Sequence, residues 1–300
     1  MTMKARHRSR RGAKMLGAVL VLVAVLALAL AIMACGGTES SDEGSEGGGA
    51  PVPGGTLKVG MQPGNGQYDP VMMAGSVGDI ILVCQVQENL VGLAQDFSVK
   101  PWLAKDWDSA DGKSWTFNLQ EGVTFSNGEP FTSEDVIYSF EHLQSEESPM
   151  AGVYENIEEV VADSPTQVTF NLKAVDSEFP SSLTDYRAKM LCKSVEDPMT
   201  ELVGTGPFML DSYAAEDRAV LKKNPTYWQK DADGNALPYL DGVEFIYSPD
   251  TAGQIEGLQG GALNWVGGLT SEQKQTIETN PSLKVITTNT NYMNALQIRV

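Results

Sequence analysis

From Trp102 to Leu143 the chain carries its own punctuation, and this stretch constrains the fold more than any other. Asp111-Gly112 is a tight-turn pair between two strand-like runs, because glycine accepts the positive φ that such turns demand. Asn127-Gly128 supplies a second turn, followed by Pro130 and then Thr132-Ser133-Glu134-Asp135. Thr132 with Asp135 fits a capping box, in which the two ends of a first helical turn satisfy each other's backbone donors. Val136, Ile137, Phe140 and Leu143 then recur at helical spacing, which predicts an amphipathic helix with one buried face. A hairpin running into a capped helix commits the chain to a mixed α and β fold.

The remainder alternates in the same way. Thr56 to Gly60 reads as a first strand and Gln62 to Pro70 as a loop. The apolar residues Ile80, Ile81, Val83 and Val86 predict a buried helix, and Leu90 to Leu93 closes that unit. Strands are expected at Ile157–Val161 and Gln167–Leu172 with a Ser-Pro turn between them, and a short helix over Phe179–Met190. Gly204-Thr205-Gly206-Pro207-Phe208 marks a sharp change of direction. Beyond it, strands are expected at Ala219–Lys222, Val243–Tyr247, Leu283–Thr287 and Ala295–Val300, with helices near Gln254–Leu258 and Ser271–Thr279.

Upstream of all this lies a leader. Lys4 to Lys14 is basic, Met15 to Ala34 is uncharged and mostly aliphatic, and Cys35 is followed by Gly36, Gly37 and a polar Gly/Ser/Glu/Pro tract. A basic stretch before an apolar run is the physics of export, with positive charge held in the cytosol while the apolar run enters the membrane. The run is also long enough to remain as a transmembrane helix. Ile32-Met33-Ala34-Cys35, however, resembles a bacterial lipobox, which implies cleavage before Cys35 and lipidation of its thiol. Either way the body lies outside the cytoplasmic membrane. Residues 1–34 are therefore expected to be a lipoprotein signal peptide, and 35–53 a flexible tether too polar to bury a core.

Charge narrows the partners. The net charge is −18, and without the six basic residues of the leader fifteen basic residues face 39 acidic ones, a net charge of about −24. Such a surface repels phosphate backbones, so no nucleic-acid partner is expected. Cys84 and Cys192 remain for the body, either as two thiols or as one disulfide in an oxidising compartment. No catalytic constellation emerges. GxSxG, Walker A and HExxH are all absent, and His142, the one histidine beyond the leader, falls on the polar side of its helix, where a solvated role is expected. Asp231-Ala232-Asp233-Gly234-Asn235 begins like a calcium loop, but glycine falls at its fourth position and Gly242 at its twelfth, where a bidentate glutamate is needed. No metal and no cofactor are expected.

Several phrases then fall into a recognisable order: Gly54-Gly55-Thr56-Leu57, Tyr68-Asp69-Pro70, Glu88 to Leu93, and Lys100-Pro101-Trp102-Leu103-Ala104. A nearly continuous signature follows from Trp107 to Phe140. Gly204 to Phe208, Lys223 to Trp228 and Leu237 to Val243 complete the series. Together they resemble the extracellular solute-binding protein family 5, the peptide-, oligopeptide- and nickel-binding receptors of ABC importers.

The resemblance implies a mixed-sheet α/β fold of the periplasmic-binding-protein type II kind. Its large lobe is discontinuous (54–93 and 205–300), with a smaller lobe inserted at 94–204 and a third domain missing after Val300. It implies a binding protein, not an enzyme, which is anchored outside the membrane, captures peptides or similar solutes, and delivers them to ABC permease subunits. Tyr68, Met72, Met73, Asn291 and Tyr292 are the expected ligand contacts. Asn264 stands where the family's usual pattern has Asp, which puts a charged role there in doubt. An extracytoplasmic hydrolase acting on glycans, or a fragment without function, are the competing readings.

Overall fold

The computed structural model describes residues 51–73, 76–94 and 96–287. Strand β1 (Thr56–Met61) begins the body, and its inward side chains Val59 and Met61 are buried. Helix α1 (Val77–Val86) follows, with Ser76 as N-cap accepting the Asp79 N–H. The short strands β2 (Val91–Leu93) and β3 (Val99–Pro101) form an antiparallel pair.

Next come β4 (Ala104–Asp108), β5 (Ser114–Leu119), helix α2 (Ser133–Leu143), β6 (Ile157–Ser164) and β7 (Gln167–Leu172). The four strands pair antiparallel in the order β4-β5-β7-β6. Alternation is clean in β7, where Val168, Phe170 and Leu172 are buried and the residues between them are partly exposed, as a half-buried strand requires. Helix α2 lays Val136, Phe140 and Leu143 against this sheet. The core is aromatic at its centre. Phe170 meets Phe140 edge to face at 4.8 Å and Phe117 at 5.4 Å, and Phe179 packs 5.3 Å from Phe170. Each such pair adds about 0.5–1.5 kcal/mol beyond the apolar area it buries.

The chain then returns to the first sheet through β8 (Phe208–Ala214), β9 (Arg218–Lys223) and β10 (Gly242–Tyr247). Helix α4 (Thr251–Gln259), strand β11 (Trp265–Val266) and helix α5 (Ser271–Glu278) complete the described chain, with a single-turn helix α3 (Phe179–Ser182) earlier. The five strands run in the order β11-β1-β10-β9-β8. β1 is parallel to both β10 and β11, whereas β9 is antiparallel to β10 and β8. Helix α1 packs on this sheet through Leu82, Val83 and Val86. The described residues from Val52 onward belong to one compact unit.

Several expectations need correction. The helix over Phe179–Met190 is only one turn long, because Asp185 turns the chain by accepting the Arg187 N–H at 2.9 Å, and Lys189 bridges to Asn89. Residues 283–287 are irregular rather than a strand, and no described strand pairs with them. β8 and β11 were not anticipated. Cys84 and Cys192 are free thiols: Cys192 is buried beneath the four-stranded sheet, while Cys84 is half-buried on α1. The calcium-like loop is a closed turn. The Asp231 carboxylate is occupied by the Asp233 and Asn235 N–H groups, the Asn235 amide and the Tyr239 hydroxyl. The leader, Cys35, Asn291, Tyr292 and the strand expected at Ala295–Val300 lie outside the described residues. Among the described residues, no helix is long and apolar enough to cross a membrane.

Candidate functional site

Parallel strands end together, and the loops that leave their carboxyl ends line the crevice where open α/β sheets take ligands. Here β1 and β10 run in register to Met61 and Tyr247, and β11 aligns Val266 with Gly60. The loop from Gln62 to Met73 leaves this edge. The Ser248 N–H donates to the Met61 carbonyl at 2.9 Å, holding the exit of β10 beside it.

The first half of the loop is clamped to the start of α1. Buried Asp79 accepts the Asn65 N–H at 2.8 Å and the Gly66 N–H at 3.0 Å. The fit leaves no room for a side chain at Gly64, where a Cβ would lie 2.1 Å from Asp79 Oδ1. Gly66 takes a φ of +72°, a region that L side chains rarely enter. The Asp79 carboxylate also lies in the first turn of a helix, where the macrodipole favours negative charge.

Three tyrosines form a row along this edge. Tyr213 meets Tyr68 edge-on at 6.2 Å and Tyr247 at 6.2 Å, and its hydroxyl donates to the Gly64 carbonyl at 3.1 Å. Burial pushes the Tyr68 phenol up to about 12, and the neighbouring Tyr213 and Asp79 add to it. Burial likewise raises Tyr213 and Tyr247, with Asp79 contributing to both. All three phenols are therefore protonated at neutral pH, able both to donate and to accept. Tyr213 and Tyr247 are half-buried and leave phenol and aromatic surface at this edge, whereas Tyr68 and the Asp79 carboxylate are buried and Asp79 is occupied by the loop's own N–H groups.

The second half of the loop reaches the other core. Tyr68 and Met73 are buried with the five-stranded sheet, whereas Val71 is buried with the four-stranded one and Met72 is partly buried against it. Thus the structure brings Tyr68, Met72 and Met73 together on one loop, with Tyr68 and Met73 serving as core. His142 is not solvated as expected. Its Nε2 lies 2.7 Å from Asp69 Oδ2, and its side chain is only 25% exposed. Sequence reading also missed Tyr213, Tyr247 and Asp79. Asp79 had a signal, a lone acid within the apolar run of α1; Tyr213 did not, because its strand was not read.

A concavity lies elsewhere, on β3 and the segment around Trp228. This open groove of about 570 Å³ is lined by Lys100, Trp102, Gln120, Trp228 and Lys230, among others. Beneath it, buried Glu88 accepts four hydrogen bonds: from the Trp102 indole at 2.7 Å, and from Thr205, Tyr227 and Trp228 at 2.9 Å each. Burial raises the Glu88 carboxyl and these four donors pull it back. Among the described residues, no group of three or more His, Cys, Asp or Glu side chains is placed to hold a metal ion.

Residues 98–300 match the sequence pattern of bacterial extracellular solute-binding proteins, family 5, in its middle region. The chain belongs to this family. Family 5 members are binding proteins, and the fold is that of the type II periplasmic binding proteins. The chain is 29% identical over 197 residues to the nickel-binding periplasmic protein of Escherichia coli, covering 61% of this chain and 36% of that one. It is also 29% identical over 172 residues to the periplasmic oligopeptide-binding protein OppA of Salmonella typhimurium, covering 49% and 31%. A solved nickel ABC transporter structure from Bacillus halodurans superposes with a TM-score of 0.65 at 28% identity, over 76% of this chain and 46% of that one. The chain thus spans about a third of the length of these two curated family 5 relatives and under half of that solved chain.

Proposed function

We propose that this chain belongs to an exported receptor that captures a peptide or similar small solute outside the cytoplasmic membrane and hands it to an ABC permease. The observation that carries the proposal is the family 5 match over residues 98–300. The geometry supports it through the loop Gln62–Met73, which lies at the carboxyl edge of the parallel strands beside a row of protonated tyrosines. Tyr68, Met72 and Met73 are proposed contacts, with Asn291 and Tyr292 completing them. Methionine suits varied ligands because its thioether is flexible and polarizable.

We assign residues 54–93 and 205–300 to one lobe, a division supported by the pairing of β1 with β10 and β11. Residues 94–204 form the inserted lobe, with the β2–β3 pair straddling the first boundary. Cys35 is the proposed lipid anchor. Metabolic labelling with a tagged fatty acid would mark the wild type and not Cys35→Ala, and label on both would sink that assignment.

The binding reading is tested by calorimetry on the complete gene product with a mixture of tetrapeptides and, separately, with Ni²⁺. Saturable heat with the peptides is the expected result. Saturation by Ni²⁺ alone would transfer the site to metal transport, and binding of neither would overturn the proposal.

A further inference from the structure

Asp69 sits where the loop crosses from one core to the other. One carboxylate oxygen accepts the Val71 N–H at 2.9 Å and shapes the loop; the other meets His142 Nε2 at 2.7 Å on the last turn of α2. Among the described residues, His142 is the ion-pair partner of Asp69 and the one histidine. The loop around Asp69 is also fastened by the burial of Tyr68, Val71 and Met73 and by backbone bonds. The Tyr68 N–H donates to the Met199 carbonyl and the Met73 N–H to the Asp69 carbonyl, each at 3.0 Å.

We propose that His142 is a positioning residue: its charge state sets how firmly the loop Gln62–Met73 is held across the two cores. A consequence is that solute affinity weakens as the imidazole loses its proton. This deepens the proposed function and rests on the reading of that loop as part of the solute site.

A protonated imidazole gives the Asp69 carboxylate a hydrogen bond in which both partners are charged, in a partly buried setting where the Coulomb attraction is less screened than in water. A neutral imidazole can still donate from Nε2 but forfeits the ion pair. The Asp69 hydrogen bond raises the His142 titration above 6.5, burial opposes it, and the Asp69 charge adds to the rise. Because the folded value is the higher one, the contribution is fully present below 6.5 and is lost as pH climbs through the raised value. Burial raises the phenol of Tyr138, one turn earlier on α2, and Asp69 and Cys192 add to the rise, so it keeps its proton across this window.

The test uses the full chain and two variants, His142→Gln and Asp69→Asn. NMR follows the His142 ring, separated from His7 by comparison with His142→Gln. Hydrogen exchange follows the Tyr68, Val71 and Met73 amides at about pH 6 and about pH 8, on either side of the histidine range and after correction for intrinsic rates. The expected result is a His142 midpoint above 6.5. These amides should also be protected about threefold or more better at the lower pH, with the difference lost in both variants. A midpoint at or below 6.5 overturns the proposal, as does the same pH dependence in His142→Gln. Tetrapeptide affinity measured at both pH values separates the two ideas. A chain that binds no probe sinks the solute reading while the exchange data still decide the latch. A chain that binds equally at both pH values sinks the affinity consequence.

Discussion

Glu88 joins parts of the chain that lie far apart in sequence, and its geometry is unforgiving. Oε1 accepts from Trp102 and Tyr227, and Oε2 from Trp228 and Thr205, so each oxygen faces one indole N–H and one hydroxyl. A hydroxyl can turn and accept, but an indole N–H cannot. Glu88→Gln must therefore set its amide NH₂ against one indole whichever way it flips. Glu88→Ala strands all four donors, and about 3–5 kcal/mol of stability should be lost, less for the glutamine variant. Urea melts followed by tryptophan fluorescence read the loss directly. A change under about 1 kcal/mol for Glu88→Ala would mean that water replaces the carboxylate and the site is not sealed. The nearby glycines belong to the same close packing, since a Cβ at Gly204 would lie 2.0 Å from the Val86 carbonyl oxygen. None of this shows in the phrase Glu88-Asn89-Leu90, which reads as an acid before an apolar run.

At the scale of elements, α2 is where sequence and structure agree in most detail. The Asp135 carboxylate accepts the Thr132 N–H at 2.9 Å, as a capping box should, and Val136, Phe140 and Leu143 face the core as their spacing requires. The structure adds a long-range bond: the other Asp135 oxygen accepts the Lys193 N–H at 3.1 Å. Asp135→Ala should therefore cost more than a lost cap, about 2–3 kcal/mol rather than about 1. Chemical denaturation compared with Thr132→Ala separates the two contributions; equal losses would mean that the Lys193 bond carries no weight. β8 shows the opposite case. Phe208 is buried, but Met209 and Leu210 are only half so, and the pairing to β9 shifts register between Leu210 and Ser212. An irregular strand of this kind leaves no period for a reader to find.

For the whole molecule, the free thiols make a clear case. Cys192 is buried and lies 3.2 Å from the Ser194 hydroxyl, while Cys84 is half-buried on α1, whose buried residues Leu82, Val83 and Val86 belong to a different core. Reductant should leave the melting temperature unchanged. A maleimide probe, mapped by peptide mass, should reach Cys84 in the native chain and Cys192 only after unfolding. A Cys84–Cys192 disulfide peptide recovered from the native protein would contradict both outcomes.

The sequence by itself determined the alternation of strands and helices, the turns at Asp111-Gly112 and Asn127-Gly128, the capped helix and the family. All of these are carried by neighbours along the chain: φ preferences, side-chain period and local capping. Only the tertiary structure decided which distant groups meet. The pairing of His142 with Asp69, the row of Tyr68, Tyr213 and Tyr247, and the four donors on Glu88 each join residues from separate elements. The polar periphery of α2 marked His142 as solvated, because amphipathic spacing records which face a helix turns to its own core and is blind to a loop folding over the other face.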